Sequence, residues 1–387
     1  MTVTSDIKYI GVNDYNIDLF EGIYHVPQGM AYNSYVIIDK KIAVLDTVDS
    51  EFTDQWLGNL DNALEGRKPD YLIVQHMEPD HSANILTFME RYPDATVVTS
   101  AKSFVMMFHF FGKEITRNRM VASDGVQLDL GNHKLSFINA PMVHWPEVIM
   151  TYDSKDKVLF TADGFGKFGA LDTNDNWVDE ARRYYIGIVG KYGVYVQKLL
   201  NKVAGLDIQI ICPLHGPVLS DNISYYINLY NSWSTYKPEE EGVLIAYTSV
   251  YGNTKKAAML LETKLRENGY HNIILRDLAR CDMSEAVAQA FKYNKLVLAT
   301  TTYNADIFPP MREFISWLTE RYFQNRLVAI MENGSWAPIV GKLIREKFEK
   351  SKGIQFTEAT VRIISSLNEE SIAELNMLAD ELCKNTN

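Results

Sequence analysis

Four short apolar runs in the first 215 residues each end beside a metal-binding side chain, which favours a fold that gathers those ends in one place. Tyr71–Val74 leads into a stretch that holds His76, Glu78, Asp80 and His81. Leu135–Ala140 is followed by His144, Lys157–Phe160 by Asp163, and Ile208–Cys212 by His215. Continuous or alternating apolar runs of this length read as strands, and open α/β sheets place their sites beyond the carboxyl ends of strands. Imidazole suits iron, zinc and copper, whereas carboxylates shift preference toward harder ions. A solvated polar loop would also carry two His and two acids, and a lone His beside Pro is more often structural. Against both readings, these positions use four of the eight histidines in the protein. Two metal ions at the strand ends account for that concentration better than packing does.

The pattern H-x-E-x-D-H, then His144, Asp163 and His215-Gly-Pro, resembles a metallo-β-lactamase-like domain, and most closely the flavodiiron proteins. Hydrolytic members of that superfamily carry His where this chain has Glu78. The exchange makes the site harder and more anionic, which favours iron over zinc. Three carboxylates plus a bridging hydroxide match the charge of two divalent ions, as buried charge must be compensated. The resemblance implies an αββα sandwich in which His76, Glu78 and His144 hold one iron and Asp80, His81 and His215 the other. Asp163 would bridge them, together with a bridging oxygen species; Asp80 could instead orient an imidazole from behind. The interval from Asp163 to His215 is shorter than is usual in the family, which a trimmed loop around Asp172 to Trp177 would explain. By the same resemblance His25 and Tyr184 or Tyr185 line the substrate pocket as proton or hydrogen-bond donors. Simple packing of amphipathic side chains is the alternative for all three.

A second signature lies downstream. The buried-strand pattern Gly242–Tyr247 runs into Thr248, Ser249, Val250, Tyr251, Gly252, Asn253 and Thr254, followed by a helical stretch to Glu267. Small and hydroxyl residues at a strand-to-helix turn suit a phosphate, held by backbone N–H groups and the helix N-terminus. The Gly-Lys-Ser/Thr ending of a nucleotide-hydrolysing loop and the G-x-G-x-x-G spacing are both absent. The S-x-x-G-N-T core is similar to the flavodoxin loop for the FMN phosphate; a polar helix cap is the plain alternative. Two further apolar runs end in Thr302, Tyr303 and Asn304 and in Gly334, Ser335 and Trp336. In flavodoxin-like proteins such loops embrace the isoalloxazine ring, so the resemblance assigns these six residues to ring contact. An aromatic there can stack on the flat ring; a core or dimer-contact tryptophan is the lesser alternative for Trp336. Glu332 to Trp336 departs from the more usual Gly-Ser-Tyr-Gly-Trp form.

A chain of 387 residues exceeds what one core normally supports. The polar, acidic, proline-bearing stretch Thr235–Gly242 marks the break, which sets a metallo-β-lactamase-like diiron domain at 1–238 and a flavodoxin-like FMN domain at 239–387. Strands near 243, 272, 296, 327 and 356 alternate with helices, a rhythm that predicts a doubly wound parallel sheet. In the first domain a hairpin is expected between Tyr32–Asp39 and Lys41–Asp46, and a helix over Ser82–Arg91. A net charge of −11 argues against a nucleic-acid surface, whose footprint is basic. No 18-residue apolar run is present, so no membrane partner is expected. Cys212, Cys281 and Cys383 form no C-x-x-C pair and suit a reducing cytoplasm.

Taken together, the resemblance implies an oxidoreductase that reduces dioxygen to water, nitric oxide to nitrous oxide, or both. Two ferrous ions and a fully reduced FMN hold the four electrons that dioxygen requires, and nitric oxide requires two per pair. The chain reaches Asn387 without the cysteines of a rubredoxin module. Electrons are therefore expected from rubredoxin, a flavin reductase or a reduced deazaflavin. The family's head-to-tail homodimer, with the FMN of one subunit facing the metals of the other, is the expected assembly, and pairing of dimers is left open. Two rivals belong to other classes: a zinc hydrolase fused to a flavodoxin module, and an electron carrier or redox sensor with a vestigial metal site. Glu78 speaks against the first, and seven filled ligand positions against the second.

Overall fold

The computed structural model describes residues 2–384; Met1 and residues 385–387, including the expected end at Asn387, lie outside that range. The chain forms two compact units, Met1–Asn231 and Ser232–Asn387.

The first unit contains two main sheets. One has six strands, in the order Ile7–Tyr9, Tyr35–Ile38, Ile42–Leu45, Tyr71–Ile73, Thr96–Thr99 and Arg119–Val121. The other has five, Gln127–Asp129, Lys134–Asn139, Ile149–Asp153, Val158–Phe160 and Ile210–Cys212. Their inner faces meet in one apolar cluster: Ile37, Leu45, Ile73 and Val98 from the first sheet, Leu135, Phe137, Phe160 and Cys212 from the second. Two sheets that each need one face buried solve the problem together. Helices such as Thr53–Leu64 and Ala101–Phe111 belong to the same unit, the former burying Trp56 and Leu60. The architecture is the metallo-β-lactamase-like sandwich.

Local details depart from the sequence expectations for stated reasons. The Lys40 hairpin pairs Tyr35–Ile38 with Ile42–Leu45, and Met30–Tyr32 pairs separately with Val12–Asp14. The helix expected over Ser82–Arg91 is two helices, Pro79–Ser82 and Ile85–Arg91. Pro79 starts the first, where its missing N–H costs nothing. Asn84 separates them and donates from Nδ2 to the Val48 carbonyl at 2.7 Å.

The second unit is built on a parallel sheet in the order Ile273–Asp277, Glu240–Tyr247, Tyr293–Tyr303 and Leu327–Asn333, to which Gln355–Phe356 and Val361–Ile363 both pair. The order reverses between Glu240–Tyr247 and Tyr293–Tyr303, and such a switch point opens a crevice at the carboxyl ends. Ala257 and Leu261 of helix Asn253–Glu267, with Leu375 and Leu378 of helix Glu369–Cys383, cover one face of the sheet. Among the described residues no helix is long and apolar enough to cross a membrane.

Candidate metal centre and cofactor cleft

All seven candidate ligands follow the carboxyl ends of strands in the sandwich unit, five on loops and Asp80 and His81 on the short helix Pro79–Ser82. Strand Tyr71–Ile73 ends where Gln75 N and His76 N both donate to Asp46 Oδ1, at 2.7 and 3.3 Å, which fixes the start of the ligand loop. Ile149 N donates to the Gln75 carbonyl at 3.1 Å, drawing the loop that carries His144 against the first cluster.

The donor atoms form two groups, His76 with Glu78, His144 and Asp163, and Asp80 with His81 and His215. In the first, Glu78 Oε2 lies 3.2 Å from His76 Nε2 and 3.1 Å from His144 Nε2. In the second, Asp80 Oδ2 lies 3.3 Å from His81 Nε2 and 3.4 Å from His215 Nε2. Asp163 straddles them: Oδ2 is 3.0 Å from His144 Nε2, and Oδ1 is 3.4 Å from His81 Nε2. Metal–ligand bonds of 2.0–2.2 Å at right angles put neighbouring donor atoms about 3 Å apart, so these spacings suit atoms that share an ion. His81 Nε2 and His215 Nε2 face each other at 3.0 Å, where two lone pairs repel unless a proton or a metal ion lies between them. Both oxygens of Asp80 and Oδ1 of Asp163 are buried without a hydrogen-bond partner. Each of these observations fits a pair of metal ions.

Electrostatics agree. Burial opposes charge on His144, but Asp163 and Glu78 push its pKa up to about 9. Burial likewise works against His76, yet Asp163, then Glu147 and Glu78, hold it well above the imidazole range. Asp80 is pushed up to about 7 by burial and by the charges of Glu78 and Asp163, with His81 opposing. His215 is driven down to about 4 by burial and by His81, so its lone pair is free at neutral pH. Three carboxylates in one buried pocket demand positive charge among them, supplied by metal ions or by protons.

The pocket candidates separate. Tyr184 is buried, its ring centroid 5.5 Å from that of His215, and its hydroxyl has no hydrogen-bond partner. Burial and then the Asp163 charge raise that hydroxyl well above its ordinary pKa, so it stays protonated. Tyr185 packs edge-on against Tyr230 at 5.0 Å instead. His25 is exposed, and its carbonyl accepts from Arg183 Nη1 at 3.0 Å. The segment Asp172–Trp177 is anchored by Lys167 Nζ, which bonds Asp175 at 2.7 Å.

One residue had no sequence signal. Glu147 is buried; its Oε1 lies 2.8 Å from His76 Nδ1 and accepts from Met77 N at 3.0 Å. A carboxylate only accepts, so a proton sits on Nδ1 and it is Nε2 that faces the centre, where metal would replace its proton. The His215 Nδ1–H donates to the Ala31 carbonyl at 2.8 Å, with the same result.

In the second unit a cleft of about 700 Å³ opens at the switch point. Of the twelve candidate cofactor contacts, Tyr251, Asn253, Thr254, Thr302, Tyr303, Asn304, Gly334, Ser335 and Trp336 line it. Thr248 is buried, with its hydroxyl 2.6 Å from Thr300 Oγ1. Ser249 Oγ accepts from Gly252 N at 3.0 Å, closing the turn. Gly252, at φ +90°, adopts the left-handed conformation that launches helix Asn253–Glu267. Asn333 also lines the cleft and donates to Thr254 Oγ1 at 3.2 Å, joining two of the loops. Trp336 is 83% exposed and Tyr251 92%, which rules out the core reading of Trp336 and leaves apolar faces at the rim. The volume falls within the usual ligand range. Loop N–H groups and a long helix N-terminus suit a phosphate, and the rim aromatics suit a flat ring.

The family model for ODP family beta lactamase matches residues 30–216. An uncharacterized protein of Methanocaldococcus jannaschii is 26% identical over 90% of this chain and 89% of its own length. The anaerobic nitric oxide reductase flavorubredoxin of Escherichia coli is 27% identical over 87% of this chain and 72% of its own. Among solved structures, rubredoxin oxygen:oxidoreductase from Desulfovibrio gigas superposes with a TM-score of 0.91 at 23% identity, covering 99% of this chain and 97% of that one. The flavodiiron protein from Giardia intestinalis gives 0.90 at 23% identity, covering 98% and 95%. These structural likenesses establish a shared fold.

Proposed function

We propose, from the premise that the chain belongs to the flavodiiron proteins, that it reduces dioxygen, nitric oxide or both at a pair of iron ions supplied with electrons by FMN. Its broader class, an oxidoreductase of the nitric oxide and dioxygen reductase kind, follows from its relatives. The observation that carries the diiron reading is Asp163, whose two oxygens face two matched sets of ligands. Bound iron would offer one-electron redox chemistry and open coordination positions, and bound FMN a two-electron reserve.

The chain's own residues supply everything around those groups. His76, Glu78 and His144 hold one position, Asp80, His81 and His215 the other, and Asp163 spans both. Glu147 and the Ala31 carbonyl keep Nε2 of His76 and of His215 aimed inward. The protonated Tyr184 hydroxyl is a hydrogen-bond donor for a small oxygen- or nitrogen-bearing ligand. Phe20 and Phe168 around it exclude water. The Ser249–Thr254 loop would take the FMN phosphate, with Tyr303 and Trp336 at the rim beside the ring. A rubredoxin-like protein or flavin reductase is the proposed electron donor, and a head-to-tail dimer the proposed assembly.

The test is anaerobic reduction of the iron- and FMN-loaded protein, followed by separate dioxygen and nitric oxide consumption assays. Fast consumption of either supports the reading. Negligible turnover of both by loaded protein overturns it.

A further inference from the structure

The two halves of the metal centre carry equal ligand sets: two imidazoles, one carboxylate and one oxygen of Asp163 each. One difference between them is what stands behind the imidazoles, beside the charges of Glu21 near Glu78 and His144 and of Asp46 near His81. Behind His76 is the Glu147 carboxylate, at 2.8 Å and with both groups fully buried. Behind His215 is a neutral carbonyl, that of Ala31. His81 Nδ1 is buried with no hydrogen-bond partner. Asp46, the other buried carboxylate close by, accepts from Gln75 N, His76 N and Gln75 Nε2 and bonds no ring.

We propose that Glu147 makes the two halves unequal: it is a positioning residue whose charge, relayed through the His76 imidazole, makes the His76–Glu78–His144 half take up metal first and give up an electron first. The inference rests on the reading that the seven side chains hold two metal ions. A carboxylate that accepts the Nδ1–H raises the basicity of Nε2, and loss of such a partner typically costs about 10–100-fold in metal affinity. Burial keeps water from screening the charge. The same negative charge favours the more positive metal, so the ion on that half is oxidised at the lower potential. The oxidation is a one-electron loss by one ferrous ion, with added ferricyanide reduced to ferrocyanide. A tenfold shift in that equilibrium is about 59 mV.

The experiment uses the full chain with FMN retained. Metal-free protein is titrated anaerobically with Co(II), following ligand-field absorbance. Iron-loaded protein is reduced with dithionite and reoxidised stepwise with ferricyanide, following the mixed-valence signal by electron paramagnetic resonance. Wild-type protein should bind two Co(II) in separate steps and show two iron potentials. In Glu147→Gln, where the neutral amide can still accept from Met77 N, the first step should weaken about 10–100-fold. The lower iron potential should rise by about 59 mV per tenfold. Glu147→Asp, which keeps the charge, should fall between the two proteins; it carries the test should Glu147→Gln lose its fold by circular dichroism. Two equivalent Co(II) steps and coincident potentials in the wild type overturn the inference. So do two resolved steps that neither variant moves. Failure of wild-type protein to bind two metal ions overturns the underlying diiron reading instead.

Discussion

Metal affinity at this centre must depend steeply on pH, because the ligand that faces both Glu78 and Asp163 holds a proton in the metal-free fold. His144 titrates at about 9. At pH 7 metal must displace that proton, which costs about 2.7 kcal/mol, two pH units at 1.36 kcal/mol each. The protonated form competes with metal, so affinity rises with pH and levels off only near pH 9. His144 alone therefore predicts about a 50-fold gain between pH 7 and 9, and about 100-fold to the plateau above it. Asp80, at about 7, adds a second competing proton below neutrality, so the slope steepens toward two decades per unit. His76 and His81 are also raised and can only add to it. His215, at about 4, contributes nothing above pH 5. Anaerobic Co(II) binding in competition with a chromophoric chelator, between pH 6 and 8.5, measures the slope. A flat profile would refute the proton-for-metal exchange on which the centre's electrostatics were argued.

Tyr184→Phe removes a buried hydroxyl that has no partner, so thermal stability should hold or rise while kcat falls; a large loss of Tm would show that the hydroxyl is structural. Trp336→Ala should weaken FMN binding by about 0.5–1.5 kcal/mol, the worth of one aromatic stacking contact, read by recovery of flavin fluorescence. Trp56→Ala, which empties a fully buried site and frees Ser34 Oγ, should cost about 3–5 kcal/mol in urea unfolding of the first unit. Asp6 is held down at about 2, chiefly by its hydrogen bond from Lys155 and with help from His133. Its folded pKa lies below the unfolded value, so its stabilisation is full above about pH 4 and is lost as pH falls through 2. Lys155→Met should reduce that acid-range slope and leave the smaller share due to His133, an effect under about 1 kcal/mol because both groups are partly exposed.

The site was legible in the sequence because the strand period is short and the ligands follow it immediately. His76, Asp163 and His215 each lie within three residues of a strand's last residue, so reading the apolar run nearly locates the side chain. The parallel sheet of the second unit was legible for the same reason: the runs 243–247 and 327–331 within its strands are apolar enough to admit little else. Glu147 was not legible, since its role depends on the Ile149-to-Gln75 hydrogen bond that brings two distant loops together. The two- and three-residue strands before Tyr35 carry too few side chains to show alternation. The expected break at 238 lies inside the polar stretch Thr235–Gly242, and the compact units divide after Asn231. Trp233 Nε1 donates to Glu239 at 2.7 Å and Arg326 Nη1 to the Tyr236 carbonyl at 2.8 Å, so that stretch belongs with the second unit.

The most direct test of the account is the electron capacity of the purified, metal- and FMN-loaded protein under anaerobic reductive titration. Two irons and one FMN per chain predict uptake of four electrons, with the flavin bleached only after the first are taken or alongside them. Uptake of two electrons, all at the flavin, with zinc at the His76–Asp163–His215 centre, would contradict it.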